Sequence, residues 1–126
     1  MSLVPIVRCR RIEASILFYT QLLDFDDVDE GDYEDPGFRV LRRDGNLLFL
    51  SSHRGDGAFG QAIAVLVDNV DEIVGKLRSR GLKVPEDRRS PVHEGSVDQT
   101  WGTREFYVDD PDGNTVRFIQ ELRAHS

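Results

Sequence analysis

The stretch WGTREFYVDDPDGNTVRFIQE, Trp101–Glu121, decides how the chain is read. Thr103–Val108 is rich in β-branched and aromatic residues, which suit a pleated, half-buried surface. Asp109-Asp110-Pro111-Asp112-Gly113-Asn114 follows as a turn, in which proline presets φ and glycine accepts a positive φ. Asn114–Ile119 then reads as the returning strand of a hairpin. Side chains alternate across a strand, so Val116, Phe118 and Gln120 share one face and Arg117, Ile119 and Glu121 the other. An arginine on that second face is expected to line a cavity or water.

Outward from this hairpin, similar signals recur. Leu3–Val7 is a short strand, and Arg8–Arg11 a polar passage into a helix. Ile12, Ile16, Tyr19 and Leu23 stand at helical spacing, which predicts an amphipathic helix over Ile12–Leu23. Three strands are expected at Phe25–Glu30, Phe38–Arg42 and Leu47–Ser51, the last two joined by Asp44-Gly45, a hairpin signal. After a glycine-rich loop, Ser52–Gly60, the order restarts with an apolar strand at Gln61–Val67. Asn69 and Glu72 have the spacing of a capping box. Val70, Ile73, Val74 and Leu77 mark the stripe of the helix that follows, closed by Gly81. A weak strand near Leu82–Val84 and an irregular loop through Gln99 lead into the hairpin. The order β-α-β-β-β thus occurs twice. It predicts one α+β domain over residues 1–126, with modules at roughly 3–51 and 61–122 and two curved antiparallel sheets facing one another, each backed by a helix.

Composition narrows the function. A chain of 126 residues can bury a core without disulfides or metals. The longest apolar run, Ala62–Val67, is far too short to cross a bilayer, no secretory leader is visible, and the single Cys9 cannot form an intrachain disulfide. A cytoplasmic protein is the expectation. Sixteen basic residues against 23 acidic ones give a net charge of −7, which opposes nucleic acid and anionic membranes and draws in cations. No nucleophile elbow, Walker loop or dinucleotide fingerprint occurs, and His53, His93 and His125 are isolated from one another. His93-Glu94 is the one adjacent pair that a general base could use, and Cys9 reads as a small buried side chain.

Three segments together carry a family resemblance: Ala14-Ser15-Ile16-Leu17-Phe18-Tyr19 with Leu22-Leu23-Asp24-Phe25, then Val67-Asp68-Asn69-Val70-Asp71, then Asp110-Pro111-Asp112-Gly113-Asn114. They resemble the vicinal oxygen chelate superfamily of glyoxalase I, extradiol dioxygenases, fosfomycin resistance enzymes and bleomycin resistance proteins. Trp101-Gly102-Thr103-Arg104-Glu105-Phe106 is most similar to the bleomycin resistance branch. That resemblance implies a homodimer holding a cationic drug in grooves between subunits. It also shows where a metal would be held in enzymatic relatives: the corresponding positions here are Val4, Ala62, Arg117 and a site around Leu48 or Phe49. None of these side chains supplies carboxylate oxygen or imidazole nitrogen.

The remaining signal is charge. Asp24, Asp26, Asp27, Asp29, Glu30, Asp32, Glu34 and Asp35 follow one another with no base among them, while Phe25, Tyr33 and Phe38 are interleaved. Such a run is either a solvated hairpin surface or, with rings beside carboxylates, a surface for a flat organic cation. The candidate ligand contacts are Asp32, Tyr33, Phe38, Phe49, Ser51, Phe59, Trp101, Gly102 and Gly113. Each has a plainer alternative: Trp101 at the rim of the core, Phe49 in the core, Phe59 as a loop anchor, and the small residues as turn and strand-end positions. Arg104 and Arg117 are expected to pair either with a partner subunit or internally. The reading is a metal-free, cofactor-free binder of a cationic or aromatic small molecule, homodimeric, with a displaced-ligand lyase or dioxygenase, or a binder of an unrelated metabolite, as the alternatives.

Overall fold

The stripe Ile12, Ile16, Tyr19 and Leu23 is buried at every position and organises the first of two units. The computed structural model of the chain describes residues 1–29, 31–82 and 90–122. The first unit comprises Met1–Gln61 and Asp109–Asn114. Its strands β1 (Ile6–Arg8), β2 (Asp26–Asp27), β3 (Phe38–Arg43) and β4 (Asn46–Ser51) form a sheet in the order β1-β4-β3-β2. The β3–β4 turn places Asp44 at φ 50° and Gly45 at φ 78°, the positive pair that a twisted two-residue hairpin needs. Helix α1 (Ile12–Leu17) packs on β4, and Val7, Leu41, Leu48 and Leu50 complete the core beneath it.

The helix is not uniform. At Phe18–Leu22 the chain continues in wider π-helical turns, where the Thr20 hydroxyl donates to the Ile16 carbonyl at 2.7 Å. Arg11, at the N-cap, makes no side-chain cap bond; Asp35 supplies one from a distance, accepting from the Ile12 N–H at 3.0 Å.

The second unit comprises Ala62–Val108 and Thr115–Ser126. It contains β5 (Ala62–Leu66), α2 (Val70–Ser79), a single-turn α3 (Pro91–Glu94), β6 (Val97–Asp98), β7 (Thr103–Asp109) and β8 (Thr115–Glu121), with sheet order β5-β8-β7-β6. The Asn69 side chain caps α2 by accepting from the Glu72 N–H at 3.2 Å. At the other end Gly81, at φ 90°, closes a Schellman turn, its N–H on the Arg78 carbonyl and that of Leu82 on Leu77.

Two α+β units of the expected element order are therefore present, with differences in detail. Each sheet is mixed, not wholly antiparallel: β1 runs parallel to β4, and β5 parallel to β8. The cause is the helix between each first strand and its partner, a crossover that returns the chain in the same direction. The strand expected over Phe25–Glu30 is reduced to Asp26–Asp27, with Glu30 outside the described residues. The irregular loop before Gln99 contains α3 and β6. Of the weak strand at Leu82–Val84, Leu82 belongs to the cap of α2, and the other two residues lie outside the described ones.

Candidate functional site

Of the predicted contacts Phe38, Phe49 and Ser51 belong to strands of the first sheet, whereas Asp32, Tyr33, Phe59, Trp101, Gly102 and Gly113 lie in loops and turns outside the strands. In the first unit the strand alternation that buries Val7, Leu41 and Leu50 turns Ile6, Phe38 and Phe49 outward. Phe38 remains 42% exposed and meets Phe49 with ring centroids 5.1 Å apart at 61°. Two predicted contacts are thus adjacent, and Phe49 is half-buried on this open face, not in the core. Ser51 is fully buried at the end of β4, donating to Asp56 at 2.7 Å and accepting from the His53 N–H at 3.2 Å. Phe59 is a loop anchor of a specific kind, held between the guanidinium groups of Arg8 and Arg10 at 4.3 and 4.1 Å.

The acidic run is not a free anionic surface. Arg39, buried from β3, enters it: its Nη2 reaches Asp27 at 2.6 Å and the Asp29 carbonyl at 3.3 Å, while Tyr33 lies over the guanidinium at 4.9 Å. The hydrogen bond to Asp27 holds the Arg39 pKa above its ordinary value. Asp29 accepts from the Val40 N–H, and Asp35 is the helix cap. Asp26, Asp32 and Glu34 remain as exposed carboxylates. One ring face of Tyr33 is therefore already taken by a cation of the chain itself.

On the open face of the second unit, Ala62, Ala64 and Leu66 of β5 stand in register with Thr115, Arg117 and Ile119 of β8. Arg117 stacks on Tyr107 at 4.9 Å. Arg104 instead makes internal pairs, with Asp71 at 3.1 Å and Asp98 at 2.9 Å. Between them along β7, Glu105 is only 3% exposed, yet it receives three side-chain donors: Trp101 Nε1 at 3.0 Å, Thr103 Oγ1 at 2.5 Å and the Tyr107 hydroxyl at 2.6 Å. Burial raises the Glu105 pKa, but these three bonds and the Arg117 charge outweigh it and leave the carboxyl below its ordinary value. Burial first, and then the hydrogen bond and charge of Glu105, push the Tyr107 pKa up against the opposing charge of Arg117. Trp101 itself is 64% exposed, so it does not plug the core. Sequence reasoning passed over Glu105 and Tyr107; the signal available was the run Trp101, Thr103, Glu105, Tyr107, which puts three donors within reach of one carboxylate.

The turn Asp109–Asn114 works structurally. Asp110 Oδ1 accepts from the N–H groups of Asp112 and Asn114, and Oδ2 from the Tyr19 hydroxyl at 2.9 Å and Asn114 Nδ2. Asn114 Oδ1 accepts from the Gly60 and Gln61 N–H groups, while Nδ2 also donates to the Arg8 carbonyl. Asp112 accepts from Arg10 and Ser15. Gly113 and Gly102 hold φ of 79° and 92°, which gives glycine a backbone reason at both places.

The four positions that correspond to metal ligands carry no donor. Val4 precedes β1, Leu48 is buried, Phe49 belongs to the aromatic pair, and Ala62 and Arg117 are exposed on β5 and β8. Among the described residues no group of three or more His, Cys, Asp or Glu side chains comes together that could hold a metal ion. His93 shares a 2.7 Å hydrogen bond with Ser90 through Nδ1 and sets its ring edge-on to Tyr107. Burial pushes the Cys9 thiol up to about 11, leaving it protonated.

The paired βαβββ-like units and their open faces define a class of fold, and comparison with known proteins agrees. The sequence profile of the Glyoxalase/Bleomycin resistance protein/Dioxygenase superfamily matches residues 3–118, and the chain belongs to that superfamily. Solved structures similar to it include a bleomycin resistance determinant encoded on the transposon Tn5, at TM-score 0.75 and 23% identity over 98% of this chain and 99% of that one. A bleomycin-binding protein complexed with bleomycin has TM-score 0.73 and 22% identity over 96% and 98% of the two chains. Lactoylglutathione lyase from Agrobacterium tumefaciens has TM-score 0.71 and 18% identity over 94% and 92%. These likenesses concern the fold. No curated protein matches the chain. No helix among the described residues is long and apolar enough to cross a membrane.

Proposed function

We propose that the chain is a metal-free cytoplasmic binding protein for a flat, aromatic, cationic small molecule, acting as a homodimer. The observation that carries this reading is the Phe38–Phe49 pair, uncovered on an open sheet face of an acidic chain. Rings present stacking area, and a net charge of −7 favours the approach of a cation. Trp101 and Gly102 of the second unit, and Asp32, Tyr33, Phe59 and Gly113 of the first, are proposed as further ligand contacts; Ser51, fully buried, is not among them. A cation stacking on Tyr33 would have to use the ring face opposite Arg39. Exposed Ala62, Ala64 and Leu66, the last 73% exposed, support pairing of two copies through the edge strand of the second unit.

Bleomycin, the ligand of one structural relative, is the first compound to test. Isothermal titration with metal-free bleomycin and with small planar cations is expected to give saturable binding. Phe38→Ala should weaken it by roughly 1–3 kcal/mol, the scale of losing one aromatic stacking partner. Binding that is indifferent to Phe38→Ala, in a variant of unchanged melting temperature, would place the ligand elsewhere.

A further inference from the structure

Trp101 is the only tryptophan, it is largely exposed, and its indole N–H ends on a carboxylate that is itself nearly inaccessible. An exposed ring on a turn ordinarily samples several rotamers; ordering it on ligand binding carries an entropic cost. Here the backbone below it is pinned, with Gln99 N–H donating to the Thr103 carbonyl at 2.7 Å and Gly102 N–H to the Gln99 carbonyl at 3.2 Å. The indole edge is pinned too. Glu105 Oε2 accepts from Trp101 and Thr103, and Oε1 from Tyr107, so the carboxylate is fixed at both oxygens. A ring tied by its N–H edge keeps its π faces free.

We propose that Glu105 is the positioning residue of this site: its buried carboxylate, braced by Thr103 and Tyr107, ties the Trp101 indole by its edge and presets the ring as a stacking surface. The proposal deepens the binding function above and rests on the reading that Trp101 stacks a ligand. Preorganisation of this kind raises affinity by removing the ordering cost, with no added contact. It also explains why a charged side chain is kept on a sheet face at 3% exposure: an amide offers one acceptor oxygen where three donors converge.

The test uses the full chain, with N-methylacridinium as the planar cationic probe. Glu105→Gln should lower the fluorescence anisotropy of the sole tryptophan and collapse its near-ultraviolet circular dichroism. Tyr107→Phe, which spares the bond to the indole, should change both much less. The dissociation constant for the probe should rise on the order of tenfold in Glu105→Gln, the scale of one hydrogen bond to a charged group, while in a Trp101→Ala background the same Glu105→Gln change should raise it no further. Should Glu105→Gln not fold, the wild-type chain still answers: its single indole N–H resonance should shift, and lose protection from exchange, in one acid step below the ordinary glutamate range. An indole equally ordered in Glu105→Gln, equally loosened by Tyr107→Phe, or unresponsive to acid before unfolding overturns the proposal. So does a probe whose affinity falls with Trp101→Ala but not with Glu105→Gln. A probe that binds yet is indifferent to Trp101→Ala, while the indole loosens as expected in Glu105→Gln, refutes instead the stacking role on which the proposal rests.

Discussion

Asn114 shows how much one side chain can hold. It is fully buried, and its amide uses both ends, Oδ1 toward Gly60 and Gln61 and Nδ2 toward Arg8 and Asp110. Asn114→Ala strands buried donors and acceptors on both sides at about 1–3 kcal/mol apiece, so a loss of about 3 kcal/mol or more is expected in urea unfolding. Asn114→Asp should be at least as harmful, because it removes the donor and sets a second carboxylate against Asp110. Glu105 makes the matching prediction for pH. Its folded pKa lies below the ordinary 4.5, so its stabilising contribution is complete above that value and is lost as pH falls below it, through the folded pKa. Melting temperatures of wild type and Glu105→Gln should therefore converge as pH is lowered from neutral through and below the ordinary glutamate range. The carboxylate and the amide were equally hard to read from sequence, since both depend on which donors the fold delivers to them.

At the scale of elements, local signals were legible where the chemistry is local. The cap Asn69 with Glu72, the Asp44-Gly45 turn and the stop at Gly81 act within a few residues, and each sits where the sequence puts it. Asn69→Ala should cost about 1 kcal/mol in denaturant unfolding, as for other lost N-caps. Gly81→Ala should cost at least as much, because alanine resists the φ of 90° that the Schellman turn requires. Illegible were features set by distant partners. The π-helical turns after Leu17 accompany a Tyr19 that reaches Asp110, 91 residues away, and the acidic run closes on Arg39 from the next strand. Counting charges along the chain could not show that Asp27 and Asp29 are already engaged. The aromatic pair Phe38–Phe49 is an intermediate case: alternation places each ring on a face, but only the register of β3 with β4 brings them together.

For the whole molecule, two outcomes follow from the proposed function. Light scattering should give twice 14.3 kDa at micromolar concentration, and Leu66→Glu, which charges the exposed apolar edge, should return the mass to 14.3 kDa with little change in the circular dichroism spectrum. Exhaustive EDTA treatment, or addition of Zn²⁺, Ni²⁺ or Mn²⁺, should leave the melting temperature within error, since Val4, Ala62 and Arg117 offer nothing to a divalent ion. A chelator-sensitive melt would restore the enzymatic alternative.

The turn Asp109–Asn114 groups with the first unit although the strands it connects belong to the second. This has a consequence for synthesis on the ribosome, where the amino-terminal end emerges first. Residues 1–61 carry all four strands of their sheet, yet the partners of Tyr19, Ser15 and the Gly60 amide are still untranslated. A nascent chain stalled after Gln61 should remain sensitive to protease, and so should one stalled after Gly81. Protection of the early half should arise only once Asn114 has cleared the exit tunnel, or when a peptide spanning 109–114 is supplied in trans.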